Sequence, residues 1–400
     1  MRQSPMLEYP VTEFEQRKAA AAAKMREAGL DYILAASRAM VCHLTGLRSV
    51  AWKSKLSTPG LILMDADGNW GVVGSRSAVD TALYTSCVDE ADYYFFDASG
   101  SEGIATSYPE AICYTMERLG IARGRIGCEL DNGFHLHLDL SLFQAIQAKF
   151  PGLEFVDASH VFWEIMAVKS DAQIRNLQTA EGYHIAAVQK GLAGLAPGKT
   201  TEMALYKAVA RAGYEAGSEH FTYVSVLSGP ERALCGDCPP SETQVISPEP
   251  GTIIRVEGSG VRRELHAPFT ANLVVGGIQP RQQEVWDLAG RMLQAALGAV
   301  KAGAPAGSVA DAADRCAEAA GRPEWNASRG YAGSGIGWSR EDGPALRSGS
   351  RVPLREHMVL TVTVVLRHPS VGELALRQNV IVAAGGYIPL LTETHRPIVV

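Results

Sequence analysis

Val168-Lys169-Ser170-Asp171-Ala172-Gln173-Ile174 is the stretch on which the fold turns. Ser170 offers the short side-chain oxygen that a helix N-terminus takes, and Asp171 places negative charge in the first turn. Lys169-Ser170-Asp171 therefore caps a long helix running to about Leu195, which Pro197-Gly198 breaks. Thr200-Thr201-Glu202 opens the next helix. Beyond it, residues 222–227, 252–257, 265–275, 358–366 and 374–382 read as extended. Helical patterns at 282–302 and 309–320 interrupt them. Strand pairs on either side of paired helices predict an α+β domain with an antiparallel sheet.

The pattern on the N-terminal side differs. Thr12-Glu13-Phe14-Glu15 reads as a capping box opening an alanine-rich helix to about Ala28, ended by Gly29. A short strand at 32–36 follows, and segments 60–64 and 70–73 flank the turn Asp65-Ala66-Asp67-Gly68 as a hairpin. Tyr108-Pro109 starts a helix closed by Gly120, before a strand at 125–130. This alternation, continued to Val156, predicts a compact α/β domain over 1–165, with the second domain over 166–400. Four hundred residues also exceed what one hydrophobic core organises.

Composition narrows the function classes. A formal charge of −6 with both signs interspersed leaves no basic footprint for nucleic acid or an anionic membrane. No apolar run reaches the roughly 18 residues of a membrane span, and Met1 to Tyr9 lacks the apolar core of an export signal. The seven cysteines, at 42, 87, 113, 128, 235, 238 and 316, are odd in number and scattered. That suits reduced thiols and a cytoplasmic location better than a disulfide framework.

Several landmarks, in order along nearly the whole chain, resemble the creatinase, prolidase and aminopeptidase-P family. Arg125-Ile126-Gly127-Cys128-Glu129 and Phe155-Val156-Asp157 resemble the end of its N-terminal domain, and 168–174 resembles the "K-S-x-x-E-I" start of its catalytic domain. Leu195-Ala196-Pro197-Gly198-Lys199-Thr200 is similar to the turn that follows. The resemblance implies an α/β N-terminal domain, an α+β "pita-bread" C-terminal domain and a homodimer. It also implies a site where two aspartates, a histidine and two glutamates bridge two divalent cations. It places Glu257, Pro268, Ser334, Thr363 and Gln378 at those five positions. One carboxylate out of four cannot balance two divalent cations, and proline has no side-chain donor at all. No metal and no cofactor are expected.

The resemblance then points to the family's metal-free branch, that of creatinase and the ectoine hydrolases. Glu257 followed by His266-Ala267-Pro268 is similar to the latter. Strand alternation puts His266 and Pro268 on one face. With strands paired as the resemblance implies, Glu257 and His266 face one pocket, as nucleophile or base and its proton partner. Asp237 falls at creatinase's histidine, with Cys235 beside it, and either would orient or protonate a departing nitrogen. Cys235-Gly236-Asp237-Cys238 also reads as a lone CxxC pair, either a redox or zinc feature or a reduced loop. After Gly333-Ser334-Gly335-Ile336-Gly337, Trp338, Arg340 and Glu341 stand where family members place substrate contacts, and an arginine there could clamp a carboxylate. The glycines themselves read as allowing backbone to lie close to a ligand. Thr363 and Gln378 are further substrate contacts by position, and Trp52 and Lys53 could reach a neighbouring subunit's pocket. The expected function is metal-independent hydrolysis of a C–N bond in a small polar nitrogen compound, an ectoine-like amidine or creatine-like guanidino acid. A non-catalytic binding or scaffold protein on a dead peptidase fold is the competing expectation, and an ordinary metallopeptidase the third.

Overall fold

Two units, Met1–Met166 and Ala167–Val400, make up the chain. The computed structural model describes residues 1–53, 60–130, 139–234, 238–391 and 395–400, with backbone alone at 53, 222 and 223. Among the described residues no helix is long and apolar enough to cross a membrane.

The first unit is built on a six-stranded mixed sheet of β1 (Tyr32–Ala35), β2 (Leu61–Asp65), β3 (Trp70–Ser75), β4 (Tyr93–Phe96), β5 (Arg123–Cys128) and β6 (Gly152–Asp157), in the order β4-β3-β2-β1-β5-β6. β2 and β3 form the expected hairpin, whose turn is closed by Asp65 Oδ1 accepting from the Asp67 and Asn69 amides at 3.0 and 2.8 Å. The first helix, Val11–Glu27, begins at Pro10 with no side-chain cap, so the capping box expected at Thr12 does not form. Pro10, extended at ψ 144°, sets the boundary earlier and leaves Thr12 inside the first turn. At the end of β5, buried Glu129 accepts from the Ala36 and Ser37 amides at 2.7 and 2.8 Å and from the Ser37 hydroxyl.

The second unit opens at the Ser170 cap. Ser170 Oγ accepts from the Gln173 amide at 3.2 Å and Gln173 Oε1 accepts from the Ser170 amide at 3.1 Å, a reciprocal pair that starts the helix Asp171–Gly191. Its strands are β7 (Phe221–Ser228), β8 (Ile253–Arg262), β9 (Leu265–Val274), β10 (Tyr331–Gly335), β11 (Asp342–Arg347), β12 (Val359–His368), β13 (Gly372–Ala383), β14 (Gly386–Pro389) and β15 (Ile398–Val399). They form a four-stranded sheet, β15-β9-β8-β7, and a five-stranded sheet, β11-β10-β12-β13-β14. Pairing is antiparallel as expected, apart from the two-residue β15 beside β9.

Each sheet hides one face under a helix pair. Ile254, Val256 and Phe269 pack with Ala187, Val188, Leu205 and Val209 of the helices Asp171–Gly191 and Glu202–Glu215. Val362, Val364, Leu374, Leu376 and Val380 pack with residues of the helices Pro280–Gly298 and Gly307–Ala319. Because side chains alternate along a strand, the residues between these face away from the helices. The sheets meet where β9 approaches β13: Asn272 Nδ2 donates to Ala375 O, and Asn379 Nδ2 to Pro268 O, both at 2.8 Å.

Candidate active site

Residues opposite each other in an antiparallel ladder share a face. Glu257 on β8 stands opposite Ser225 on β7 and Thr270 on β9, so these three line one wall. Pro268 and His266 follow on the same face of β9, opposite Ser259 and Val261. From the other sheet, Ser334 stands opposite Thr361, Asn379 opposite Thr361 on its other side, and Arg377 opposite Thr363. All five point away from the helix-covered core, whose residues occupy the alternate positions on β12 and β13.

One chain of hydrogen bonds ties the two walls together. Arg377 Nε donates to Thr270 Oγ1 at 3.3 Å, Thr270 Oγ1 donates to Glu257 Oε1 at 3.2 Å, and Arg377 Nη1 donates to Thr361 Oγ1 at 3.4 Å. Arg255 approaches Glu257 at 3.8 Å, but its closer ion pair is with Glu373 at 2.7 Å, which Arg367 also contacts at 2.9 Å. Burial pushes the Arg377 guanidinium's pKa down; the carboxylates of Glu257 and Glu341 oppose this, while the Arg340 charge adds to it. Thr363 Oγ1 and Ser225 Oγ are buried without a hydrogen-bond partner among the described residues.

The sequence expectations fare unevenly here. Glu257 and His266 do share a face, yet they are four positions apart along the β8–β9 ladder. At about 3.4 Å per residue their backbones lie about 14 Å apart, so His266 does not stand directly beside Glu257. His266 instead gives its amide to Gly337 O at 2.6 Å, which seats it beside Trp338. Trp338 is buried, its amide donating to Asp342 Oδ2 at 2.9 Å; Arg340 is half-buried and Glu341 exposed. Asp342 is held in turn by Lys169 at 3.7 Å, both side chains being 1% exposed. Gln378 is not a pocket residue. It stands opposite core Val362 and its Nε2 donates to Asn379 O and Leu391 O, both at 3.0 Å. Arg377, one residue earlier, takes the pocket-facing place.

Cys235 and Asp237 lie outside the described residues; neighbouring Cys238 is a free thiol whose Sγ accepts from Arg232 Nη1 at 3.3 Å. Trp52 and Lys53 belong to the short 3-10 turn Val50–Lys53 of the first unit, and the pocket described above is assembled without them. The Gly333–Gly337 run does not lie open toward a ligand. Gly333, at φ 109°, is pressed against Thr361 O, Gly335 against Gly343 O, and Gly337 against the Lys169 side chain. The glycines serve strand packing.

Divalent cations need converging carboxylate or imidazole donors. Among the described residues no group of three or more His, Cys, Asp and Glu side chains is placed to hold an ion. The pocket presents Glu257, a proline, hydroxyls and a guanidinium, a donor set that does not fit paired cations. Arg377 is the residue that sequence reasoning missed. Its signal was present: Leu374, Leu376, Val380 and Val382 place Gln378 in phase with the core, so Arg377 is out of it.

Residues 175–384 match metallopeptidase family M24, and residues 17–168 match the creatinase/prolidase N-terminal domain. An uncharacterized hydrolase/peptidase, y4tL, of Sinorhizobium fredii is 24% identical over 351 residues, covering 88% of this chain and 87% of that protein. Among solved structures, an Xaa-Pro dipeptidase from Bacillus anthracis superposes with a TM-score of 0.81 at 18% identity, covering 97% of this chain and all of that one. The dipeptidase PepE of Mycobacterium ulcerans gives 0.80 at 22% identity, covering 98% and 99%.

Proposed function

Because the chain belongs to metallopeptidase family M24, a family of hydrolases, and carries a creatinase/prolidase-type N-terminal domain, we propose that it is a hydrolase of that fold working without metal ions. Its substrate is a small polar nitrogen compound, an ectoine-like cyclic amidine or a creatine-like guanidino acid, cleaved at a C–N bond. The observation that carries this reading is the donor set: where a cation pair would need acidic ligands, the pocket holds Glu257 with Arg377, Thr363, Ser334 and Pro268.

The separation of Glu257 and His266 suits a substrate lying between them. Glu257 takes a proton from water as the water oxygen bonds to the amidine or guanidino carbon. The C–N bond then breaks, and the departing nitrogen takes a proton from the His266 imidazole. Thr270 orients the Glu257 carboxylate by donating to Oε1 at 3.2 Å. The same reading places the protein in the cytoplasm as a homodimer; the described cysteines are all free, which agrees with a reducing compartment.

A second reading, ligand binding without turnover, is favoured by one observation. The Glu257 carboxylate is engaged by Thr270 and lies beside Arg255, leaving it less available as a base. Both readings meet the same experiment. Protein purified without chelator is assayed for metals, then incubated with ectoine, creatine and Xaa-Pro dipeptides, alongside Glu257→Gln and His266→Ala variants. Less than about a tenth of an equivalent of manganese, zinc or iron is expected, with turnover of a non-peptide C–N bond reduced at least about 100-fold in Glu257→Gln. Stoichiometric metal ends the proposal, and a ligand bound but recovered unchanged selects the second reading.

A further inference from the structure

We infer that Arg377 anchors an anion subsite, so that the molecule taken by this pocket carries one carboxylate, whose oxygens lie against the guanidinium edge. This deepens the metal-free reading of the pocket and rests on it.

The first ground is unused hydrogen-bonding capacity. A guanidinium has five N–H donors and no acceptor. Among the described residues Arg377 uses two, one on Thr270 and one on Thr361, both neutral hydroxyls. No described carboxylate lies within 4.0 Å of it, unlike Arg255, which has Glu373 at 2.7 Å. Glu257 acts on this half-buried guanidinium only across Thr270, so donors remain unused, and a bidentate carboxylate is the partner whose geometry matches its fork.

The second ground is charge. Arg255, Arg367 and Arg377 face Glu257 and Glu373, and the ion pairs at 2.7 and 2.9 Å leave Arg377 as the cation without a contact partner. Arg340 and Glu341 act on Arg377 in opposite directions. One surplus positive charge calls for a monoanion, which fits a carboxylate better than a phosphate.

A spare donor stands beside the guanidinium. Thr363, directly opposite Arg377, has a buried hydroxyl without a partner, free to donate to an incoming oxygen.

The test is saturation-transfer NMR on the full chain at constant ionic strength, with acetate as the probe and acetamide as its neutral counterpart. Wild-type protein is expected to transfer saturation to acetate and not to acetamide, with the acetate signal at least about fivefold weaker in Arg377→Gln. Equal acetate signals in the two proteins, or none in wild type, overturn the inference. Displacement of acetate by inorganic phosphate at lower concentration overturns the carboxylate assignment. If Arg377→Gln does not fold, phenylglyoxal modification of Arg377 in the wild type, followed by peptide mass spectrometry, replaces it. Acetate should slow that modification and acetamide should not; equal rates overturn the inference. Acetate binding without turnover of any compound leaves the subsite standing and removes the hydrolase proposal. Turnover undiminished in Arg377→Gln does the reverse.

Discussion

At Gly333 a single hydrogen atom in place of a side chain lets β10 lie against β12. The residue sits at φ 109°, and a Cβ there would be driven into Thr361 O, whose own side chain holds Arg377. Gly333→Ala therefore combines a left-handed backbone with a main-chain clash. It should lower stability by at least about 2 kcal/mol, read as a reduced urea midpoint with an unchanged slope. The glycine run was visible in sequence, but its purpose was not, because the atom it makes room for belongs to a strand some thirty residues away. Arg377 teaches a similar lesson: shifting a strand assignment by one residue exchanges its two faces. The apolar alternation of 374–382 held the right phase, and the motif alignment that selected Gln378 did not.

Among elements, the join between the start of the second unit and the loop after β10 is the most consequential. Lys169 meets Asp342 in a buried pair, and Asp342 accepts from the Trp338 and Ser339 amides at 2.9 and 2.8 Å. That loop in turn carries Gly337 O, the acceptor for His266. Burial pushes the Asp342 carboxyl's pKa up while Lys169 pulls it down. Lys169→Met leaves the acid without its cation and should cost on the order of 3–5 kcal/mol. The loss should be visible in chemical denaturation, with Lys169→Met/Asp342→Asn recovering part of it. No recovery would show that the backbone contacts of Asp342 outweigh the charge pair. The Ser170 cap next to Lys169 was legible because capping is local chemistry. The role of Lys169 was not, since its partner lies far along the chain.

For the whole molecule, two units mean two sets of stability determinants. In the first, burial raises the Glu129 carboxyl from 4.5 to about 7, against the pull of its hydrogen bonds from Ser37 and Ala36. Folding then favours the protonated acid. Its contribution is complete below the unfolded value of 4.5 and is lost as pH rises through about 7. The change amounts to about 3 kcal/mol over that window. Glu129→Gln should flatten the pH dependence of the first unit's unfolding between those limits, measured by calorimetry at several pH values. An unchanged profile would mean that the hydrogen bonds from Ala36 and Ser37 keep the carboxylate ionised.

Local order alone determined the two-domain plan, the helix starting at Ser170 and the β2–β3 hairpin, while the family resemblance implied the depletion of acidic side chains at the ligand positions. Caps, turns and residue types act within a few positions of where they are read. Only the tertiary structure decided which residue of β13 faces the pocket and how far His266 stands from Glu257. These depend on ladder register and on two sheets meeting, and a sequence carries neither distance nor the identity of a partner more than a hundred residues away.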